Sequence, residues 1–288
     1  MSEPDVPMRM THVNGHSIRY LDFNNPSLGS EFSQEKVERK VLVLLHGLGA
    51  SAERWLYVSN MLSKDFRVVI PDIIGFGYSD KPAAEYTIDF FIDFFQGFLN
   101  NLNISRSLIV GSSFGGYLAT EFAIRFNEQV DKLILAAPAG LMRTSTRVLD
   151  QYILAALYPT FENAKIAFNS MAYDPSTVSE STVRDFVNRM RLPNAKYAFM
   201  STLLGIRDSP KLHGRLSKVD VPTLLLWGDN DNMIPLQYSN GFQEIPSSEL
   251  VIINKCGHTP YVEKPQEFTD IVLRFLKNTA SPDLNRIE

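Results

Sequence analysis

The segment Gly111-Ser112-Ser113-Phe114-Gly115 holds a serine between two glycines at the junction of two unlike stretches. Ser107-Leu108-Ile109-Val110 before it is short, apolar and β-branched, and reads as a strand. Gly116 to Ala123 after it reads as a helix. A chain that passes from strand to helix so abruptly strains its serine and pushes the hydroxyl of Ser113 out at the sheet edge. The helix that starts there aims unpaired N–H groups at the same spot, where negative charge can be stabilised. The pentapeptide alone arises by chance in about one chain in ten of this length. Its weight therefore rests on whether the chain supplies partners for the serine.

A serine is a poor nucleophile at neutral pH and needs a base, which needs an orienting acid. The chain has 5 histidines. His258, in Cys256-Gly257-His258-Thr259-Pro260, follows the apolar run Leu250–Ile253 and lies on a loop past a strand end. Pro222–Trp227 reads as another buried strand, and it stops at Gly228-Asp229-Asn230-Asp231. Either aspartate can orient the histidine or cap the turn.

With these residues together, the chain resembles the α/β-hydrolase superfamily over nearly its whole length. The likeness is to the branch of serine carboxylesterases and meta-cleavage-product hydrolases with a helical cap. The G-x-x-D-x-x-x-P pattern of that branch is matched by Gly228, Asp231 and Pro235, which selects Asp231 over Asp229. Its G-H-x-P-x-x-E-x-P pattern is matched by Gly257, His258, Pro260, Glu263 and Pro265. The resemblance thus implies a catalytic set of Ser113, Asp231 and His258. It also implies an oxyanion hole made by the backbone N–H groups of Leu48, in His46-Gly47-Leu48-Gly49-Ala50, and of Phe114. His46 is expected to fix the loop rather than shuttle protons. Asp72–Asp80 resembles the D-x-x-G-x-G-x-S loop of the family and is expected to be structural, since it lacks a P-loop lysine and a full G-x-G-x-x-G.

Strand and helix patterns alternate through the first half of the chain, which points to a mostly parallel sheet flanked by helices. Strands are expected at Arg9–Val13, Ser17–Asp22, Val41–Leu45, Arg67–Pro71, Leu108–Gly111 and Leu133–Ala136. The first two are separated by Asn14-Gly15 and form a hairpin. Helices are expected at Ala52–Ser63, Ile88–Leu99 and Ser113–Phe126. From Pro138 to Leu212 the pattern changes to four helical segments, Arg147–Leu157, Phe161–Met171, Val178–Met190 and Ala195–Gly205. The expected organisation is an α/β-hydrolase core at 1–137 and 213–288, with a helical cap inserted at 138–212. The cap is rich in Phe, Tyr, Leu and Met, so its roof favours a substrate with an acyl or aryl part.

Composition narrows the remaining classes. The chain has 288 residues, 44% hydrophobic and 21% charged, enough for one large core. Its 28 Lys and Arg against 32 Asp and Glu give a net charge of −4, which argues against a nucleic-acid partner. A single cysteine permits no internal disulfide, and no Cys/His cluster has metal spacing, so no metal and no cofactor are expected. Met1–Pro7 has no basic start and no apolar run, and no stretch is long enough to span a membrane. A cytoplasmic location is expected, with a small-molecule ester as the partner and a homodimer allowed for.

Three functions are compatible with this sequence. The first is hydrolysis of carboxylic esters with small to medium apolar acyl or aryl groups through an acyl-enzyme. The second is C–C bond hydrolysis of aromatic ring-cleavage products. Thr259 stands where that group often has tryptophan, and Leu48-Gly49-Ala50 replaces its Ser/Gly-rich loop, so the first is preferred. The third is a slow-turnover ligand receptor on the same fold. Haloalkane dehalogenase and epoxide hydrolase chemistry is set aside, because those members carry aspartate where this chain has Ser113.

Overall fold

The computed structural model describes residues 6–24 and 39–278. Residues 1–5, 25–38 and 279–288 lie outside it, and with them most of the N-terminal stretch read above as unlike a leader. The chain begins with β1 (Met8–Val13), β2 (His16–Phe23), β3 (Val41–Leu45), α1 (Leu56–Leu62), β4 (Arg67–Pro71) and α2 (Ile88–Asn101). Then come β5 (Ser107–Ser112), α3 (Phe114–Arg125), β6 (Val130–Ala136), α4 (Arg147–Leu157), α5 (Phe161–Met171), α6 (Glu180–Met190) and α7 (Ala195–Asp208). It ends with β7 (Thr223–Gly228), α8 (Ser239–Phe242), β8 (Ser248–Ile253), α9 (Pro260–Glu263) and α10 (Pro265–Lys277).

The 8 strands form one sheet in the order β1-β2-β4-β3-β5-β6-β7-β8. β1 pairs with β2 and β2 with β4 antiparallel; every pairing from β4 to β8 is parallel. This is the α/β-hydrolase fold. The period-2 alternation of the strands divides their side chains between two cores. Val43, Leu45, Ile109 and Leu133 pack with Phe91, Phe95 and Phe98 of α2 and with Leu118 and Phe122 of α3. Leu42, Leu44, Leu108 and Val110 pack with Val58 and Leu62 of α1 and with Phe268, Val272 and Leu276 of α10. With both faces covered, the central strands must be apolar throughout, which is why they read as continuous runs rather than alternating ones.

α2 shows why a helix forms where it does. Thr87 at its N-cap accepts a hydrogen bond from the Phe90 N–H. Ile88, Phe91, Ile92, Phe95, Phe98 and Leu99 then recur at helical spacing and are all buried. The same chemistry opens three helices between β6 and β7: Thr146, Thr160 and Ser179 cap α4, α5 and α6 with their side chains. No strand lies between β6 and β7 among the described residues. These helices and α7 meet through Tyr152, Phe168, Phe186 and Phe199. The ring centroids of Phe186 lie 5.3 Å from those of both Tyr152 and Phe168. The aromatic cluster is continuous with the α2/α3 core, so the insertion shares a core with the sheet.

The structure refines several element boundaries. Ala52–Trp55 is a 3-10 turn, and α1 proper begins only at Leu56. Ser113 precedes α3 instead of opening it. Val178 and Ser179 lie ahead of α6, because Ser179 is its cap. α10 lies beyond the helices expected from sequence; Pro265 in its first turn and Phe268, Val272 and Leu276 on one face mark it.

Cys256, just after β8, is fully buried. Burial pushes its thiol pKa well above the ordinary range, and only the thiolate is nucleophilic. The native protein should therefore resist iodoacetamide at about pH 8, whereas the denatured chain should react readily. Mass spectrometry of both reads the outcome, and rapid alkylation of the native protein would show that the end of β8 is open to solvent.

Candidate active site

Ser113 has φ 54° and ψ −117°, a conformation that costs an ordinary residue about 1–3 kcal/mol. Backbone hydrogen bonds hold it there from three sides. Its N–H donates to the Ala136 carbonyl at 3.0 Å, and its carbonyl accepts from Ala139 at 2.9 Å and Tyr117 at 3.0 Å. α3 runs so close to β3 and β5 that no side chain fits between them. A Cβ at Gly115 would lie 2.3 Å from the Leu45 carbonyl oxygen, and one at Gly111 would lie 2.4 Å from that of Gly115. Phe114 is the first residue of α3, so its N–H is among those with no partner inside the helix.

His258 and Asp231 come from the loops that follow β8 and β7. His258 Nδ1 lies 2.7 Å from Asp231 Oδ2, and both residues are buried. The other oxygen of Asp231 accepts from the Met233 and Ile234 N–H groups, each at 2.9 Å, which fixes the carboxylate plane. Asp229 is exposed and instead accepts from the Cys256 N–H at 3.2 Å. Glu263 organises the peptide on both sides of His258. Its carboxylate accepts from Gly257 at 2.9 Å, from Thr259 at 3.2 Å and from Tyr173 of the helical insertion at 2.8 Å. The His258 N–H itself donates to the Met171 carbonyl at 2.9 Å, again in the insertion.

The loop carrying Leu48 is held from below and above. His46 is fully buried; its Nε2 accepts from the Ile73 N–H at 3.0 Å, so Nδ1 carries the proton, 2.8 Å from the Gly47 carbonyl oxygen. Tyr152 of α4 reaches down and donates to the Leu48 carbonyl at 2.7 Å. Asp72, in the loop after β4, accepts from Ala52 at 2.7 Å, Tyr78 at 2.8 Å and the Arg19 guanidinium at 2.9 Å. That loop is a buried polar brace beside the site, with its carboxylate saturated by the protein itself.

Leu48, Ser113, Phe114 and His258 all line one cavity of about 1040 Å³ between the sheet and the insertion. Leu141, Met142, Leu149, Ile153, Leu203 and Met233 supply apolar wall. Two arginines of the lining are partly or fully buried. Arg54 is half-buried and stands 5.6 Å from the centre of the Phe168 ring. Arg189 of α6 is 3% exposed, pairs with Asp185, and leaves its Nε without a partner among the described residues. Among those residues no group of three or more His, Cys, Asp or Glu side chains has the geometry to hold a metal ion.

A family model described as alpha/beta hydrolase fold matches residues 40–265. The chain belongs to the α/β-hydrolase family. Among relatives of this hydrolase, a 2-hydroxy-6-oxononadienedioate/2-hydroxy-6-oxononatrienedioate hydrolase of Burkholderia vietnamiensis is 28% identical over 283 residues, covering 92% of this chain and 98% of that one. A 2-hydroxy-6-oxo-2,4-heptadienoate hydrolase of Pseudomonas putida is 31% identical over 245 residues, covering 82% and 88%. The meta-cleavage product hydrolase CumD of Pseudomonas fluorescens superposes with a TM-score of 0.79 at 27% identity, covering 93% and 97%. A membrane phospholipase A superposes with a TM-score of 0.81 at 25% identity, covering 94% of this chain and 86% of that one.

Of the residues singled out in the sequence, Leu48, Ser113, Phe114 and His258 line this one cavity, Asp231 pairs with His258, and Asp229 lies at the surface. The contributions of Tyr152, Arg54 and Arg189 went unread, because nothing in a helix pattern tells which side chain turns to a cavity. Glu263 stood within a quoted motif, but its three backbone partners are visible only in three dimensions.

His46 yields a pH-dependent expectation for the hydrolase. Burial, the largest cause, lowers its pKa from the ordinary 6.5, and a proton on Nε2 would break the bond from Ile73. Above that value neither folded nor unfolded chain is protonated there, and the ring contributes nothing to pH dependence. Below it the unfolded chain binds a proton that the folded chain does not, so stability declines toward acid. His46→Asn should flatten the slope of unfolding free energy against pH below about 6.5 by up to one proton, about 1.4 kcal/mol per pH unit. Urea denaturation at several pH values measures it, and an unchanged slope would show that the ring titrates freely in the folded protein.

Proposed function

We propose that the protein is a serine carboxylesterase acting on esters with small to medium apolar acyl or aryl groups. The observation that carries the reading is the buried Asp231–His258 pair, which opens with Ser113 onto one largely apolar cavity. Ser113 attacks the ester carbonyl while His258 Nε2 takes its proton. Asp231 keeps the proton of the neutral ring on Nδ1 and stabilises the imidazolium. The Leu48 and Phe114 amides receive the oxyanion. The alcohol leaves with the proton from His258, and water activated by the same ring releases the acid and restores Ser113. In this reading residues 138–212 act as a cap over a core formed by 1–137 and 213–288, excluding water and shaping the acyl site.

One observation favours a second reading, C–C bond hydrolysis. Arg189 is buried beside the cavity; Asp185 meets one end of its guanidinium, and its Nε has no partner among the described residues, a buried donor that a substrate carboxylate would satisfy. The substrates in the names of the B. vietnamiensis and P. putida relatives are carboxylates. Turnover of a vinylogous 1,5-diketo dienoate faster than of any aryl ester would replace the first reading with the second.

A fluorophosphonate probe should label the protein once, at Ser113, and Ser113→Ala should lose both label and turnover while remaining folded. Asp231→Asn should lower kcat by about 10⁴, as a lost orienting acid does elsewhere. Asp229→Asn should cost less than about tenfold, since its carboxylate is exposed. Labelling at Ser112, or the reverse ranking of the two aspartates, would overturn the assignment.

A further inference from the structure

The charge of the cavity runs against the charge of the protein. The chain carries a net −4, yet among the described residues five Arg and Lys side chains line the cavity (Arg54, Arg143, Arg189, Arg207 and Lys211) and no aspartate or glutamate does. Three of the five are exposed and come from two adjoining stretches. Arg143 lies on the loop after β6, and Arg207 and Lys211 lie at the end of α7 and just beyond it. The stretches touch where a Cβ on Gly140 would come within 2.5 Å of Leu212. Lys211 Nζ donates to the Arg207 carbonyl at 3.2 Å, which keeps those two together. Arg207 makes two hydrogen bonds to its neighbour Asp208, at 2.7 and 2.9 Å, and the two side chains are 67% and 63% exposed. The pair is open to solvent, and a phosphate that binds here has to share or displace the Asp208 carboxylate. Leu141, Met142 and Leu203, close to these side chains in sequence, line the same cavity.

Resting on the ester-hydrolase reading, we propose that the substrate is an amphiphile: its acyl part fills the apolar cavity and a phosphate head sits at the mouth on Arg143, Arg207 and Lys211. A phosphate monoester carries about −1.5 to −2 at neutral pH and offers three acceptor oxygens, which suits two guanidinium forks and an ammonium better than a single carboxylate does. Hydrolysis breaks the acyl C–O bond, or C–S bond in a thioester, and adds water across it. The free acid and the phosphate-bearing alcohol or thiol are released.

The test compares kcat/KM for 1-hexanoylglycerol 3-phosphate, 1-hexanoylglycerol, hexanoyl-CoA and the hexanoyl ester of glycolic acid. A phosphate-bearing substrate should exceed the neutral ester by about tenfold at low salt, through KM, and the advantage should shrink as salt is added. The triple variant R143Q/R207Q/K211Q should bring the ratio of phosphorylated to neutral ester close to one. Preference for hexanoyl-CoA over the glycerol phosphate supports the subsite and identifies the thioester as the source of the phosphate. Preference for the glycolate ester, or a ratio that survives the triple substitution, overturns the proposal. The salt dependence of the unmodified protein keeps the test independent of how the variant folds. Turnover of the neutral ester with no gain from phosphate overturns this inference alone; turnover of none of the four overturns the ester reading with it.

Discussion

Everything at the candidate site is arranged around one backbone constraint, the conformation of Ser113. At φ 54° and ψ −117° it lies outside the ordinary helical and extended regions, so the surroundings must hold it there. They do so with hydrogen bonds to β6 and to the loop beyond it, and with a helix pressed against the sheet so closely that only glycine fits at 111 and 115. A cost of about 1–3 kcal/mol is small against the burial of α3, whose residues from Phe114 to Ala123 are all buried. The strain is local, and the packing that offsets it is spread over the whole helix. The same geometry puts the first N–H of α3 beside the serine hydroxyl, so the proposed nucleophile and one proposed oxyanion donor come from a single turn.

The remaining groups are brought to that point by polar contacts between segments far apart in sequence. His46, Asp72 and Glu263 each use a side chain to hold backbone N–H groups of a neighbouring loop. None of the three needs to meet a substrate for the site to depend on it. Asp72 is the most costly to lose, because it is fully buried beside the Arg19 guanidinium. Removing one partner of such a pair leaves a buried charge uncompensated, at about 3–5 kcal/mol. A neutral His46 serves its place because an uncharged ring can be buried while donating at one nitrogen and accepting at the other.

How much of this was legible in the sequence follows from the range of the forces involved. The central strands are buried on both faces, so their apolar runs announced themselves. The turn at Ser113 was readable because glycine is demanded on either side of it. Asp231 and Asp229 could not be separated by local chemistry, since both sit in a turn rich in Asp and Asn. Only a motif resemblance chose between them, and the structure then puts Asp231 against His258 and Asp229 at the surface. α10 was passed over because its apolar residues are spaced four apart among charged ones, although they close the second core. The cationic lining was invisible for a deeper reason. Its five residues come from four separate stretches of chain, and each taken alone reads as a solvated surface charge.

The helical insertion is tied to the site by contacts that would not be needed if it were only a roof. Tyr152 holds the carbonyl of Leu48, Met171 accepts from the amide of His258, and the Tyr173 amide shares the Glu263 carboxylate with the two peptides flanking that histidine. Each of the two loops that carry the proposed oxyanion donor and the proposed base therefore has one anchor in the segments that follow the strands and one in the insertion. The residues of α4 to α7 that shape the cavity share helices and loops with those anchors. A substitution that widens the pocket by shifting α4 or α5 would also move Tyr152 or Met171, and with them Leu48 or His258. In the proposed reading, selection of substrate and geometry of the reacting groups are coupled through α4 and α5. Arg143 shares its loop with Ala139, which holds the Ser113 carbonyl, but the side chains of Arg143 and Lys211 are exposed and make none of these contacts, so the charge they carry can vary without breaking them.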